Sequence, residues 1–234
     1  LMVDISDILP APFEWISIPA GEVTLASGGN GGYVPKGGQT YTVRAFEIAK
    51  YPITHAQYAP YVEESGWQPK YWHVERFNHP QQPVIGINFL DAIGFCEWLS
   101  EKVTYTVTLP TEQEWQRAAQ GDDGRKYPWG NEWNCTRCNT WHPDCDGIGK
   151  PSVVTQFEGM GDSPFGVVDM VGNVQEWCRT GKKTGTTETG GMEARVRRGG
   201  AWNRLYSTLN TRTGETGPDH TIRGFRIARP LSDS

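Results

Sequence analysis

Residues 88–121 read NFLDAIGFCEWLSEKVTYTVTLPTEQEWQRAAQG, and this stretch decides the class of the fold. Phe89, Ile93, Cys96 and Leu99 recur at three- and four-residue steps. They follow Asn88, whose side chain suits the free amides at a helix start. A helix over residues 88–102 is expected. Thr111 and Glu114 then stand three apart before Trp115, Ala118 and Ala119. A hydroxyl meeting the N3 amide and a carboxylate reaching back form a capping box, so a second helix should run to Gly121. Upstream, Thr54 opens a third helical pattern with Ala56, Tyr58, Tyr61 and Val62 available for packing, provided Pro60 sits in the first turns or bends the helix.

Further out the pattern changes. Residues 13–53 alternate short apolar runs with glycine-rich turns at a period near two, which reads as strands joined by turns. Beyond residue 121 turn signals dominate and no stretch carries a ten-residue helical stripe. Early helices, short strands and long loops give an α+β domain of low regular content. No internal repeat or compositional break divides the 234 residues, so one domain is expected, with a core over about 13–229. Ten tryptophans require that core, because large aromatics at this density must pack against something.

Charge and cysteine content exclude several classes. A net charge of -5 offers no general attraction to nucleic acid or anionic membranes. No run approaches the length of a membrane span, and LMVDISDILPAPF carries acids where a leader would be basic, so neither insertion nor export is expected from this stretch. Five cysteines form at most two pairs, so disulfides are not the framework. Cys135, Cys138, His142 and Cys145 have the spacing of a small zinc knuckle. A Cys135–Cys145 disulfide or free thiols fit the same spacing, and the three readings stay open. Cys178 reads as a small buried hydrophobe.

Other polar clusters read as architecture. Arg195, Arg197 and Arg198, with Arg226 and Arg229, look like strand residues facing carboxylates rather than a phosphate site. Asp91, Glu97 and Glu114 lie on helices, where carboxylates are routine, and take no catalytic role. None of the five histidines pairs with another at helical spacing.

Eight phrases then occur in order: IPAGEV (18–23), AFEIAKYPITHAQYAPYV (45–62), QPVIGINFLDAIGFCEWLSEK (82–102), TLPTEQEWQRAAQG (108–121), YPWGNEW (127–133), SPFGVVDMVGNVQEWC (163–178), RRGGAW (197–202) and GFRIAR (224–229). Together they resemble the formylglycine-generating enzyme (sulfatase-modifying factor) family over roughly residues 15–229. The resemblance implies a variant of the C-type lectin fold. It does not settle function, because that fold carries both enzymes and binding proteins.

Each branch of the family implies different residues. The oxidases hold copper with a cysteine pair, and the corresponding positions here are Arg204 and Leu209. The sulfoxide-forming enzymes of ergothioneine biosynthesis need three iron-binding histidines on an additional helical domain, which this sequence does not display. The remaining branch includes the variable proteins of diversity-generating retroelements, bacterial or phage proteins that diversify residues between an RGG[SA]W and a GFR flank. Randomised AAC codons there yield nearly any residue except Lys, Gln, Glu, Met or Trp. Residues 203–222 contain one excluded type, Glu215, whereas residues 183–202 contain Lys183, Glu188, Met192, Glu193 and Trp202. The resemblance therefore points to a non-catalytic binding protein whose partner is a protein or cell-surface molecule, with an enzyme of unidentified chemistry as the alternative.

The expected contact surface comprises Trp202, Asn203, Arg204, Tyr206, Thr208, Asn210, Arg212, Thr213, Asp219 and His220, a mixture of rigid aromatic area and adaptable polar groups. Gly199, Gly200, Gly224 and Phe225 would hold its ends. The likeness also implies structural calcium at Asp169, Gly172, Val174 and Glu176, and a second calcium at Asn139, Thr140, Asp146 and Ile148. Mixed side-chain and carbonyl oxygens suit that ion.

Overall fold

A computed structural model describes residues 4–25, 38–143, 145, 147–190, 193–205, 209, 212–213 and 221–231. Four strands open the chain: β1 (Trp15–Ile18), β2 (Gly21–Leu25), β3 (Gln39–Val43) and β4 (Phe46–Ala49). Three helices follow, α1 (His55–Ser65), α2 (Phe89–Lys102) and α3 (Glu112–Gln120). The second half contributes β5 (Gln175–Gly181), β6 (Arg195–Arg198), β7 (Arg212–Thr213), β8 (Arg223–Gly224) and β9 (Ala228–Pro230). The α+β class expected from the sequence is what the chain adopts.

All three helices begin where their caps predict. Thr54 with Gln57, Asn88 with Asp91, and Thr111 with Glu114 each form a complete capping box. Asp91 and Glu114 therefore spend their carboxylates on backbone amides, which accounts for them without chemistry. α3 ends against Gly121 at φ 69°, in the region that favours glycine. Pro60 is the sixth residue of α1 and so falls within its first two turns, as the pattern required. It forgoes one backbone hydrogen bond. Burial compensates, for Tyr58 is fully enclosed and stacks on Phe95 at 5.2 Å.

Sheet pairing brings the two ends of the chain together. β4 lies between β1 and β9, both antiparallel to it, while β2 and β3 form a separate hairpin. The third sheet has the order β7-β6-β5-β8, with β8 parallel to β5 and the other pairs antiparallel. One apolar cluster joins α1 and α2 to Leu109, Trp177, Phe225 and Ile227. A second joins α3 to Ile18, Phe46, Val171, Cys178, Val196 and Leu209. Cys178 is fully buried there, as its sequence context suggested.

Among the strand arginines, Arg198 meets the buried Glu112 at 3.2 Å. Arg195 and Arg197 lie over the rings of Phe89 and Trp177, both at 4.9 Å. Planar guanidinium groups stack on aromatic faces as readily as they pair with carboxylates, and the sequence pattern does not separate the two.

Candidate functional site

Strand β5 is flanked by the two ends of one long excursion. The chain leaves along β6 on one edge of β5 and returns along β8 on the other. At the departing end Gly199 and Gly200 take φ of 88° and 77°. A Cβ on Gly199 would come within 3.3 Å of Trp115, so a side chain there is crowded, and the positive φ strains it as well. At the returning end the Gln175 amide donates to the Ile222 carbonyl at 2.6 Å and the Ile87 amide to the Arg223 carbonyl at 3.3 Å. Phe225 is fully buried, edge-on to Phe95 at 5.4 Å. Both flanks are thus pinned in the framework.

Behind them lies a buried ion pair. Arg226 donates through Nε and Nη2 to both carboxylate oxygens of Glu176, at 2.6 and 2.7 Å, and neither residue is exposed. Its other N–H groups reach the carbonyls of Ala49, Lys50 and Val168. The Trp115 indole donates to Glu176 Oε2 at 2.7 Å. A buried charge requires compensation of this completeness. Glu176, expected as a calcium ligand, is first of all the counter-ion of Arg226.

Asp169 lies in the tight turn that precedes this pair. It has φ 58°, and Asn173 has φ 54°, conformations that non-glycine residues hold only where their surroundings impose them. Asp169 Oδ2 accepts from Asn173 Nδ2 at 2.8 Å, while the buried Oδ1 finds no partner among the described residues. Burial pushes this carboxyl up to about 7. Glu176 Oε1 accepts one hydrogen bond and retains a lone pair. The Val174 carbonyl lies near Gly199, and Gly172 abuts the backbone of Asn139. The orphaned Oδ1 of Asp169, with the Glu176 carboxylate near enough to act on it, offers hard oxygen donors that fit a divalent cation.

At the second expected site Asn139 is buried and donates through Nδ2 to the Lys150 carbonyl at 2.9 Å. Its Oδ1 is likewise enclosed without a described partner. Thr140 is buried, and its hydroxyl donates to the carbonyls of Ala201 and Arg204. Ile148 has an exposed side chain, and Asp146 lies outside the described residues. Of the three readings of the cysteine-rich loop, the structure takes the disulfide. Cys135 and Cys145 are bridged with their Cα atoms 6.1 Å apart, and Cys138 is a free thiol in the second apolar cluster. Burial pushes the Cys138 thiol up to about 12. The ligands of a zinc knuckle are therefore not assembled: no group of three or more His, Cys, Asp or Glu side chains gathers for a metal among the described residues.

Between the flanks the described residues divide by exposure. Arg204 and Leu205 are exposed, and Asn203 and Thr213 are half-buried. Trp202, expected on the contact surface, is half-buried. The Arg76 guanidinium lies 5.9 Å from its ring and Phe77 at 6.5 Å. Leu209 is fully buried in the second cluster, and its carbonyl accepts from Arg198 at 2.9 Å. Arg212 and Thr213 form β7 on the edge of the sheet. Tyr206, Thr208, Asn210, Asp219 and His220 lie outside the described residues. Sequence reasoning missed Arg76 and Phe77, which stand far away in the chain and outside any motif.

The description "Sulfatase-modifying factor enzyme 1-like domain" matches residues 10–231. The mouse protein named inactive C-alpha-formylglycine-generating enzyme 2 is 34% identical over 172 residues, 64% of this chain and 51% of its own length. Serine/threonine-protein kinase pkn1 of Chlamydia pneumoniae is 27% identical over 223 residues, 81% of this chain and 34% of that protein. The chain thus spans between a third and a half of the length of these curated relatives. Among solved structures, PvdO from Pseudomonas aeruginosa superposes with a TM-score of 0.72 at 24% identity, over 93% of this chain and 94% of that one. Treponema denticola variable protein 1 superposes at 0.69 and 22% identity, over 93% and 95%. Both share the fold.

Proposed function

The chain belongs to the sulfatase-modifying factor enzyme 1-like family, and on that premise we propose that it is a non-catalytic binding domain displaying residues 203–222 as a contact surface, as the variable proteins of diversity-generating retroelements do. The observation that carries this reading is the contrast between the flanks and what they enclose. Both flanks are buried and hydrogen-bonded around β5, while Arg204 and Leu205 between them face solvent. The two positions where the oxidases carry copper-binding thiols hold an exposed arginine and a core leucine. Neither side chain is a soft ligand for copper.

The similarity to a relative whose name marks it as inactive, and to a variable protein in fold, supports the same direction. The partner in this reading is a protein or cell-surface molecule met by Trp202, Asn203, Arg204, Arg212 and Thr213, with Tyr206, Thr208, Asn210, Asp219 and His220. Calcium is the cation proposed for Asp169, Glu176 and the carbonyls of Gly172 and Val174, with Asn139, Thr140, Asp146 and Ile148 at the second position. It would supply the positive charge that the orphaned oxygens call for. Incubating the protein with copper, oxygen and a cysteine-containing sulfatase peptide tests the non-catalytic reading. No aldehyde above the protein-free control is expected, and aldehyde formation that depends on the protein overturns it.

A further inference from the structure

Two tryptophans of the YPWGNEW block form a concave wall that the proposed contact surface does not use. Trp129 stacks on Tyr127, ring centroids 5.3 Å apart and planes 4° from parallel. Trp133 stands 6.4 Å from Trp129 at 51°, so the two indoles make a half-open wedge. Asn131, Glu132, Asn134 and Arg137 complete a bowl of about 260 Å³. Asn131 Oδ1 accepts from the Lys126 amide, and Asn134 Oδ1 accepts from the amide and hydroxyl of Thr136. Their NH₂ groups and the Glu132 carboxylate have no partner among the described residues.

We propose that this bowl binds one ring of a neutral sugar. Its lining is too polar for a purely apolar ligand, and its one cation and one anion cancel, so it does not select for net charge. A pyranose matches both parts. Its C–H face lies against an indole, whose negative π face favours partially positive hydrogens. Its hydroxyls, each both donor and acceptor, meet free amide donors and a free carboxylate. The volume lies below the range of about 300–1,000 Å³ that holds drug-sized ligands, and suits a single ring. The bowl is prebuilt: Trp129 Nε1 donates to the Glu132 carbonyl at 2.9 Å, Arg137 is tethered to the Met160 carbonyl, and the Cys135–Cys145 disulfide closes the loop beyond. Lys126 links it to the displayed segment, since its carbonyl accepts from the Leu209 amide. No residue proposed for calcium lines it.

Titration of the whole protein with methyl glucoside, methyl mannoside and N-acetylglucosamine, followed by the NMR signals of the indole N–H groups, tests the assignment. At least one sugar should shift the Trp129 and Trp133 signals with a Kd on the order of 1–10 mM, as for a small, partly open site. Binding should persist in EGTA. Trp129→Ala should weaken it about tenfold. Glu132→Gln, an exposed change that leaves the melting temperature unmoved, should weaken it by a smaller factor that still exceeds error. The proposal is overturned if no sugar shifts these signals up to about 50 mM, several times the expected Kd. Loss of binding in EGTA, or a stronger response to tetramethylammonium than to any sugar, also overturns it.

Discussion

Glu176 and Arg226 show how one residue pair fixes a frame. Fifty residues apart in sequence, they meet with neither exposed, and the guanidinium spends every N–H on Glu176 or on backbone carbonyls. Removing one partner strands the other charge, so Arg226→Ala should cost about 3–5 kcal/mol in chemical denaturation. A loss below about 1 kcal/mol would show that the pair is not the buried unit described. Asp169 contributes with the opposite sign. Its carboxyl is raised to about 7 by burial, from an ordinary 3.8. Without a cation its contribution is fully present below about pH 4 and is lost as pH climbs toward 7. Asp169→Asn should therefore leave the EGTA-treated protein at neutral pH as stable or more stable, while abolishing the rise in melting temperature expected when calcium is added to the parent. An equal calcium response in both proteins would place the cation elsewhere. Burial also separates two aromatic residues: Phe225→Ala should cost about 3–5 kcal/mol, and Trp202→Ala less because Trp202 is only partly buried.

Elements were legible where local chemistry decides them. Thr54, Asn88 and Thr111 announce three helices because a capping box is closed within four residues, and no tertiary contact is needed to see it. β7 and β8 are two residues each and exist only because β6 and β5 lie beside them. Nothing periodic marks so short a strand. Arg226 faces a carboxylate, as its sequence pattern suggests, but fifty residues of separation hid that the partner is Glu176. The same distance effect hid the half-burial of Trp202, whose neighbours Arg76 and Phe77 come from a remote turn. Cysteine spacing alone left three chemistries open, and the fold decides among them by sending Cys138 inward, away from Cys135 and Cys145. That disulfide closes a short loop carrying Asn139 and Thr140, so Cys135→Ser should lower stability by about 2–3 kcal/mol, measured by denaturation under oxidising conditions. No loss would mean that the loop is held without the bridge.

At the scale of the molecule, the proposed function requires a constant frame and a segment displayed upon it. Among the described residues both large apolar clusters include a residue of β5, Trp177 in one and Cys178 in the other, and the excursion from β6 to β8 begins and ends on the two edges of that strand. Stability then resides in burial, which supplies most of the folding free energy, and not in the identity of exposed side chains along the excursion. The segment is not uniform, because Leu209 turns inward within it. The most direct test replaces Arg204, Tyr206, Thr208, Asn210 and Thr213 together and compares the product with Leu209→Ala by chemical denaturation. If the proposed display holds, changes of about 0.5 kcal/mol each should leave the fivefold variant folded, within about 2–3 kcal/mol of the parent. Leu209→Ala alone should cost about 2–5 kcal/mol. Collapse of the fivefold variant, alongside a Leu209→Ala protein as stable as the parent, would contradict a displayed segment on a fixed frame.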